Sequence, residues 1–153
     1  MKPAIDERSL AAVLPQYAQI DEAAFREAGE LPLFPGITVK NVPAHVRILI
    51  TAKPEAGSNI KIELWLPAEG WNGDLAGVGN GGSAGILPSF SMPMPLRLGY
   101  AVVTTDMGTS AGPDCGIGNQ AVWTDFGHRA THLMAEIGKK LTAAYYGVPV
   151  KFA

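Results

Sequence analysis

The sequence predicts an α/β fold in which an antiparallel hairpin leads into a parallel sheet joined by crossover helices. Three observations carry this. Two extended runs, His45 to Thr51 and Ile60 to Leu66, flank the turn-rich stretch Lys53-Pro54-Glu55-Ala56-Gly57-Ser58-Asn59, as a hairpin requires. Tyr100 to Thr105 is a continuous apolar, β-branched run, the pattern of a strand covered on both faces. Phe126, Ala130, Leu133, Met134, Ile137, Leu141, Ala144 and Tyr145 then recur at helical spacing. Strands alternating with helices imply parallel pairing after the hairpin.

In chain order, residues 9–28 read as one or two short helices interrupted at Pro15. Leu10, Val13, Leu14 and Tyr17 lie on one stripe, Ile20 and Ala24 on another. Leu31 to Gly36, with prolines at 32 and 35, reads as a connector without regular structure. Residues 1–36 are therefore taken as an N-terminal helical and extended segment, and 37–153 as the body of the domain. In the second hairpin strand Ile60, Ile62, Leu64 and Leu66 share one face and Lys61, Glu63 and Trp65 the other. Asp74 to Gly79 is short, apolar and glycine-terminated, and the Pro- and Met-rich stretch between Gly85 and Gly99 ends as a short helix. Residues 106–122 form a glycine-rich loop. The long helix runs from about Thr124, capped by Thr124 or Asp125, to Tyr146, where Gly147 and Pro149 stop it. Val148 to Ala153 begins a further strand.

The composition narrows the classes. Of 153 residues 47% are hydrophobic and 17% charged, which excludes extensive disorder. The net charge of −2 and scattered Lys and Arg give no basic face for nucleic acid, and Lys139-Lys140 suits the end of a helix. No apolar run approaches the ~18 residues of a membrane helix. Met1-Lys2-Pro3 runs into Asp6, Glu7 and Arg8, which leaves no signal-peptide core, so localisation is open. The single cysteine, Cys115, in Asp114-Cys115-Gly116, forms no intrachain disulfide and reads as a plain loop thiol. No cofactor or metal is expected.

Chemistry concentrates in Gly77-Val78-Gly79-Asn80-Gly81-Gly82-Ser83-Ala84-Gly85, which follows a strand. A dinucleotide loop would use Gly77, Gly79 and Gly82 with Asp106 after the next strand, but Pro88, Pro93 and Pro95 spoil the helix that should receive the pyrophosphate. An oxyanion hole would use the backbone N–H groups themselves. A purely structural turn is the plain alternative. Gly81-Gly82-Ser83-Ala84-Gly85 also reads as G-x-S-x-G, and Ser83, Asp106 and His128 or His132 follow hydrolase order, but a nucleophile elbow needs a strand directly before and a helix directly after the serine. His128, His132 and Glu136 share a helix edge without a third ligand in reach, so a solvated face is the simpler reading. Asp125 and Arg129 read as a helix-start ion pair.

Taken in order, several stretches resemble the tannase and feruloyl esterase family of α/β-hydrolases. They are Pro43-Ala44-His45-Val46-Arg47, Ser58 to Pro67, Trp71-Asn72-Gly73-Asp74-Leu75, Gly77 to Gly82, Leu98 to Asp106, Asp125 to His132 and Tyr145-Tyr146-Gly147. The resemblance implies a hydrolase fold with an inserted lid, cleaving phenolic-acid esters such as gallates or hydroxycinnamates by serine acyl transfer. It places the oxyanion donors at the N–H groups of Gly81 or Gly82, with Asn80 positioning the loop. It implies that the serine elbow would follow the strand begun at Val148, so that nucleophile, acid and base are absent, the chain is a partial hydrolase fold inactive alone, and the uncovered sheet edge invites self-association. It also implies a parent often secreted or periplasmic. Two departures stand out: Val46 and, approximately, Ser9 replace a cysteine pair that members often carry, and Thr109 replaces a histidine that often follows Asp106-x-Gly. The rival readings are a small domain holding an anion or nucleotide in the glycine loop without turnover, and a small hydrolase using Ser83.

Overall fold

A computed structural model describes residues 5–34, 36–112 and 115–153. The elements are α1 (Glu7–Ala12), β1 (Ala18–Arg26), β2 (Gly29–Phe34), β3 (Ile37–Val42), β4 (His45–Ala52), β5 (Ile60–Pro67), β6 (Leu75–Val78), α2 (Pro93–Arg97), β7 (Ala101–Thr105), α3 (Gln120–Thr124) and α4 (Ala130–Tyr146). A five-stranded sheet has the order β1-β4-β5-β7-β6, and β2 and β3 form a separate two-stranded ribbon. The β4–β5 hairpin is antiparallel, from His45 opposite Pro67 to Ala52 opposite Ile60. β7 joins β5 antiparallel and β6 parallel. The expected hairpin and the parallel pair after it are both present.

Both sheet faces are covered, each by a different element. α4 lays Leu133, Met134, Ile137 and Leu141 on the face formed by Ile48, Ile62, Leu64, Leu75 and Val103. Burying each such side chain contributes roughly 1.5–3 kcal/mol. Gly138 lets the helix approach closely, since a Cβ there would stand 3.2 Å from Leu75 and 3.3 Å from Val103. On the opposite face Trp65 and Val102 pack with Met92 and Leu96 of the α2 region and with Val42, Val39 and Leu31 of the β2–β3 ribbon. Of the expected helical stripe, Ala144 is exposed and the rest is buried or half-buried.

Several local expectations are corrected. Residues 18–26 are a strand, not a second helix: β1 pairs along the whole of β4, and a bulge between Ile20 and Glu22 shifts its phase. The connector at Leu31 to Gly36 is regular up to Phe34, because β2 pairs with β3 and Pro32 sits in a ribbon rather than in a central strand. On the second face of β5 Glu63 is fully buried and Trp65 is 1% exposed, so this face too is covered. The long helix starts earlier, at Asn119, whose side chain accepts from the N–H groups of Ala121 and Val122. Between α3 and α4 the residues Asp125–Arg129 form a π-helical turn, with Ala130 N–H donating to Asp125 O. Val148 to Ala153 is not a regular strand, although Lys151 N–H donates to Gly73 O and Leu75 N–H to Phe152 O. Gly147, at a φ of +72°, ends α4 as expected. Met1-Lys2-Pro3, Pro35 and Asp114 lie outside the described residues.

Candidate active-site turn

The glycine run leaves the sheet at the carboxyl end of β6, beside the carboxyl end of its parallel neighbour β7, where Val78 stands opposite Thr104. In open α/β sheets this is the end at which ligands bind. Within the run, Ala84 N–H donates to Gly81 O at 3.1 Å, closing a turn whose second residue, Gly82, has a φ of +59°. That sign suits glycine. A Cβ built at Gly79, Gly81 or Gly82 meets no described atom within 4 Å, so the space in front of these residues is open. Gly81 and Gly82 are exposed, and among the described residues their N–H groups have no acceptor.

The turn is held from behind by the chain leaving β7. The Asn80 amide donates to Thr105 O and to Ile86 O, tying both ends of the run to the sheet. Gly85 N–H donates to Asp106 O at 3.0 Å. Thr109 Oγ1 donates to Ser83 O at 2.7 Å. Gly85 admits no side chain, since a Cβ would lie 2.2 Å from Ala111 N. The supporting loop is itself fixed: Asp106 Oδ1 accepts from Gly108 N–H at 2.8 Å and Lys61 N–H at 2.9 Å. Burial pushes the Asp106 carboxyl above the usual aspartate range, against the two amides, which favour its ionised form.

The other chemistry-bearing side chains do not converge on the turn. Asp106 is engaged with those amides, and His128 and His132 are exposed, His132 facing Glu136 at 3.7 Å. The order Ser83, Asp106, His128 or His132 therefore does not become a triad. After β6 come a single 3-10 turn at Ser89–Ser91 and then α2 from Pro93, so no α-helix begins at the glycine turn to receive a pyrophosphate. Among the described residues no cluster suits a metal ion, and no helix is long and apolar enough to cross a membrane. Cys115 is a free, half-buried thiol. Asp125 and Arg129 are paired at 2.5 Å, but the pair is not a helix-start surface bridge. Asp125 is fully buried and accepts from Ser58 Oγ at 2.5 Å, and Arg129 also reaches Glu55. This network ties the β4–β5 loop to the π-helical turn.

A second polar cluster was invisible to the alternation pattern. Glu63 accepts from Arg47 Nε at 2.5 Å, Trp65 Nε1 at 2.8 Å and Ser89 Oγ at 2.6 Å. His45 stacks on Trp65 with ring centroids 4.3 Å apart. It donates from Nδ1 to Pro43 O, and burial holds the imidazole below the usual histidine range. A cleft of about 540 Å³ opens over these residues, bordered by Ile86 and Phe90. Its buried carboxylate already accepts from three donors, whereas the amides of Gly81 and Gly82 have no acceptor among the described residues. Thr105, which supports the glycine turn from the end of β7, carries no distinctive sequence signal, and Thr109 is marked in the sequence only as a departure from the pattern of the resembled family.

Comparison with known proteins bears on the family of the chain. The family described as Tannase and feruloyl esterase matches residues 44–153. An uncharacterised esterase of Xanthomonas campestris pv. campestris is 32% identical over 139 residues, covering 89% of this chain and 24% of that protein. A probable feruloyl esterase B-2 of Aspergillus flavus is 34% identical over 104 residues, 67% of this chain and 20% of its own length. The chain thus spans about a quarter of the former relative and a fifth of the latter. The crystal structure of feruloyl esterase B from Aspergillus oryzae superposes with a TM-score of 0.77 at 25% identity, over 90% of this chain and 30% of that one. An esterase from Aspergillus oryzae shares the fold with a TM-score of 0.79 at 24% identity, over 95% and 31%. From the family match and the identity to these relatives, the chain belongs to the tannase and feruloyl esterase family.

Proposed function

We propose that the chain is part of a carboxylic-ester hydrolase that cleaves phenolic-acid esters, gallates or hydroxycinnamates, by serine acyl transfer, and that it supplies the oxyanion turn. The observation that carries this is the glycine turn at the carboxyl end of the parallel pair, where Gly81 and Gly82 are exposed, have open space at their Cβ positions, and have N–H groups without an acceptor among the described residues. When a serine attacks an ester carbonyl, negative charge grows on the carbonyl oxygen. Backbone amides already oriented toward that oxygen stabilise the charge without reorganising during the reaction. Asn80 holds the base of the turn through Thr105 O and Ile86 O, which keeps the amides aimed. None of the described side chains assembles a triad, so the serine, acid and base of the proposed reaction lie outside these residues. The 153-residue chain alone is inactive toward such esters.

The test is a hybrid in which residues 74–111 replace the matching stretch of Aspergillus oryzae feruloyl esterase B. The hybrid should hydrolyse methyl ferulate. Gly81→Pro, which removes one amide hydrogen at a residue outside the left-handed region, should lower kcat by about 10²–10³-fold. A folded hybrid without activity, or a Gly81→Pro variant as active as the hybrid, would remove the oxyanion assignment. We also propose that the isolated chain self-associates through the β6 edge, which ends the strand order of the sheet. Light scattering that shows a monomer at all concentrations rejects this.

A further inference from the structure

We propose that Thr109 is a positioning residue that locks the glycine turn and so sets the direction of the Gly81 and Gly82 amides; its importance for catalysis rests on the oxyanion reading. The turn itself is a weak object. Its one internal backbone bond is Ala84 N–H to Gly81 O, and three of its five residues, Gly81, Gly82 and Gly85, lack side chains to fix their conformation. Ser83 is the residue between Gly82 and Ala84, which have φ of +59° and +57°. Rotating the Ser83–Ala84 peptide would swing the Ser83 carbonyl and break the register of the turn. The Thr109 hydroxyl holds that carbonyl at 2.7 Å. Its own place is fixed by the left-handed pair Met107 and Gly108, at φ of +65° and +69°, and by Asp106 Oδ1, which accepts from Gly108 N–H. A Cβ at Gly108 would stand 2.9 Å from Asp125 Cβ, so the loop is seated against the buried Asp125 network. The lock therefore runs from the helix through the β7 loop to one hydroxyl on the turn.

Threonine suits this position because a hydroxyl can donate to a carbonyl while its β-branch restricts the side-chain rotamer. Valine keeps the shape and loses the donor. Serine keeps the donor. In the chain itself, hydrogen exchange read by NMR should show Thr109→Val speeding exchange of the Ala84 and Gly85 amides by about five- to tenfold, the scale of one lost hydrogen bond. Thr109→Ser should restore most of the protection, and the amides of Ile62 and Leu64 should not change. Unchanged Ala84 and Gly85 amides in Thr109→Val overturn the proposal, as does equal loosening of the β5 amides, which would make the hydroxyl a general support. In the hybrid enzyme, Thr109→Val should lower kcat with KM nearly unchanged, and Thr109→Ser should recover it. A turn that loosens while kcat stays constant would keep the lock and refute the oxyanion role of the amides it holds.

Discussion

Arg47 Nε donates to Glu63 Oε1 at 2.5 Å across the β4–β5 pair, and the two side chains are 27% and 0% exposed. A carboxylate that is fully buried persists only if its lone pairs are filled, and Arg47, Trp65 and Ser89 fill them. Glu63→Leu leaves three donors without their acceptor, and Arg47→Met leaves a buried charge without its cation. Each single change should cost about 3–5 kcal/mol. The double variant should cost less than the sum by more than about 1 kcal/mol. Urea denaturation of the four proteins checks this, and simple additivity would show that the pair acts independently.

His45 gives a pH dependence with a definite sign. Burial lowers its pKa in the folded chain, so the unfolded chain binds the proton more readily. The stability it contributes is present above the ordinary histidine value of about 6.5 and is lost as pH falls from there through the lowered folded value. His45→Phe keeps a ring against Trp65 but abandons Pro43 O. The variant should be about 1–3 kcal/mol less stable at pH 8. The gap should narrow toward pH 5 in thermal melts. A gap independent of pH contradicts the buried, neutral imidazole.

Asp106 runs the other way. Its folded pKa is raised by burial, so the neutral acid is favoured in the folded chain. Its contribution is fully present below the unfolded value of about 3.9 and is lost as pH rises through the raised folded value. Asp106→Asn retains an oxygen for the amides of Lys61 and Gly108 and removes the charge. Measured against the parent, the variant should gain stability from pH 4 to pH 7. A constant difference across that range speaks against a desolvated carboxylate.

Asp125 is fully buried between Ser58 and Arg129, so Asp125→Ala leaves Arg129 partly buried beside only Glu55 and the carbonyl of Ala121. The expected loss is about 3–5 kcal/mol. Ser58→Ala, which removes one of two donors to the carboxylate, should cost about 1–3 kcal/mol. Chemical denaturation distinguishes the two, and equal losses would place the network's weight on Ser58.

Elements whose burial follows a single period were readable from the sequence. β4, β5 and α4 show it plainly, β7 was readable as a continuous apolar run, and the glycine run announced a turn at the carboxyl end of a strand. β1 was misread for a specific reason. Its inward residues are Ala18, Ile20, Ala23 and Phe25, and the bulge after Ile20 turns a step of two into a step of three. With Glu22, Ala23, Ala24 and Arg26 favouring helix locally, the spacing imitates one. β2 and β3 were missed because Pro32 argues against a strand, and a ribbon can accommodate it where a central strand cannot. Glu63 and Arg47 were unreadable as partners because alternation shows which residues share a face but not what covers it, and the ribbon and α2 that cover this one carry no periodic signal. The proposed oxyanion glycines were legible as a motif, while Thr109, which holds Ser83, depends on a fold-dependent contact between residues 26 positions apart.

β5 lies between β4 and β7 with both of its faces covered, and that arrangement guards the alignment of the strands. Sliding it by one position would turn Glu63 toward Ile137 and Leu141, an oily slab with no cation on its side, while Arg47 stayed behind on the opposite surface. Ile62 and Leu64 would meanwhile enter the polar cleft. The buried acid thus penalises every off-by-one pairing of the central ladder, so the strands there have one admissible alignment.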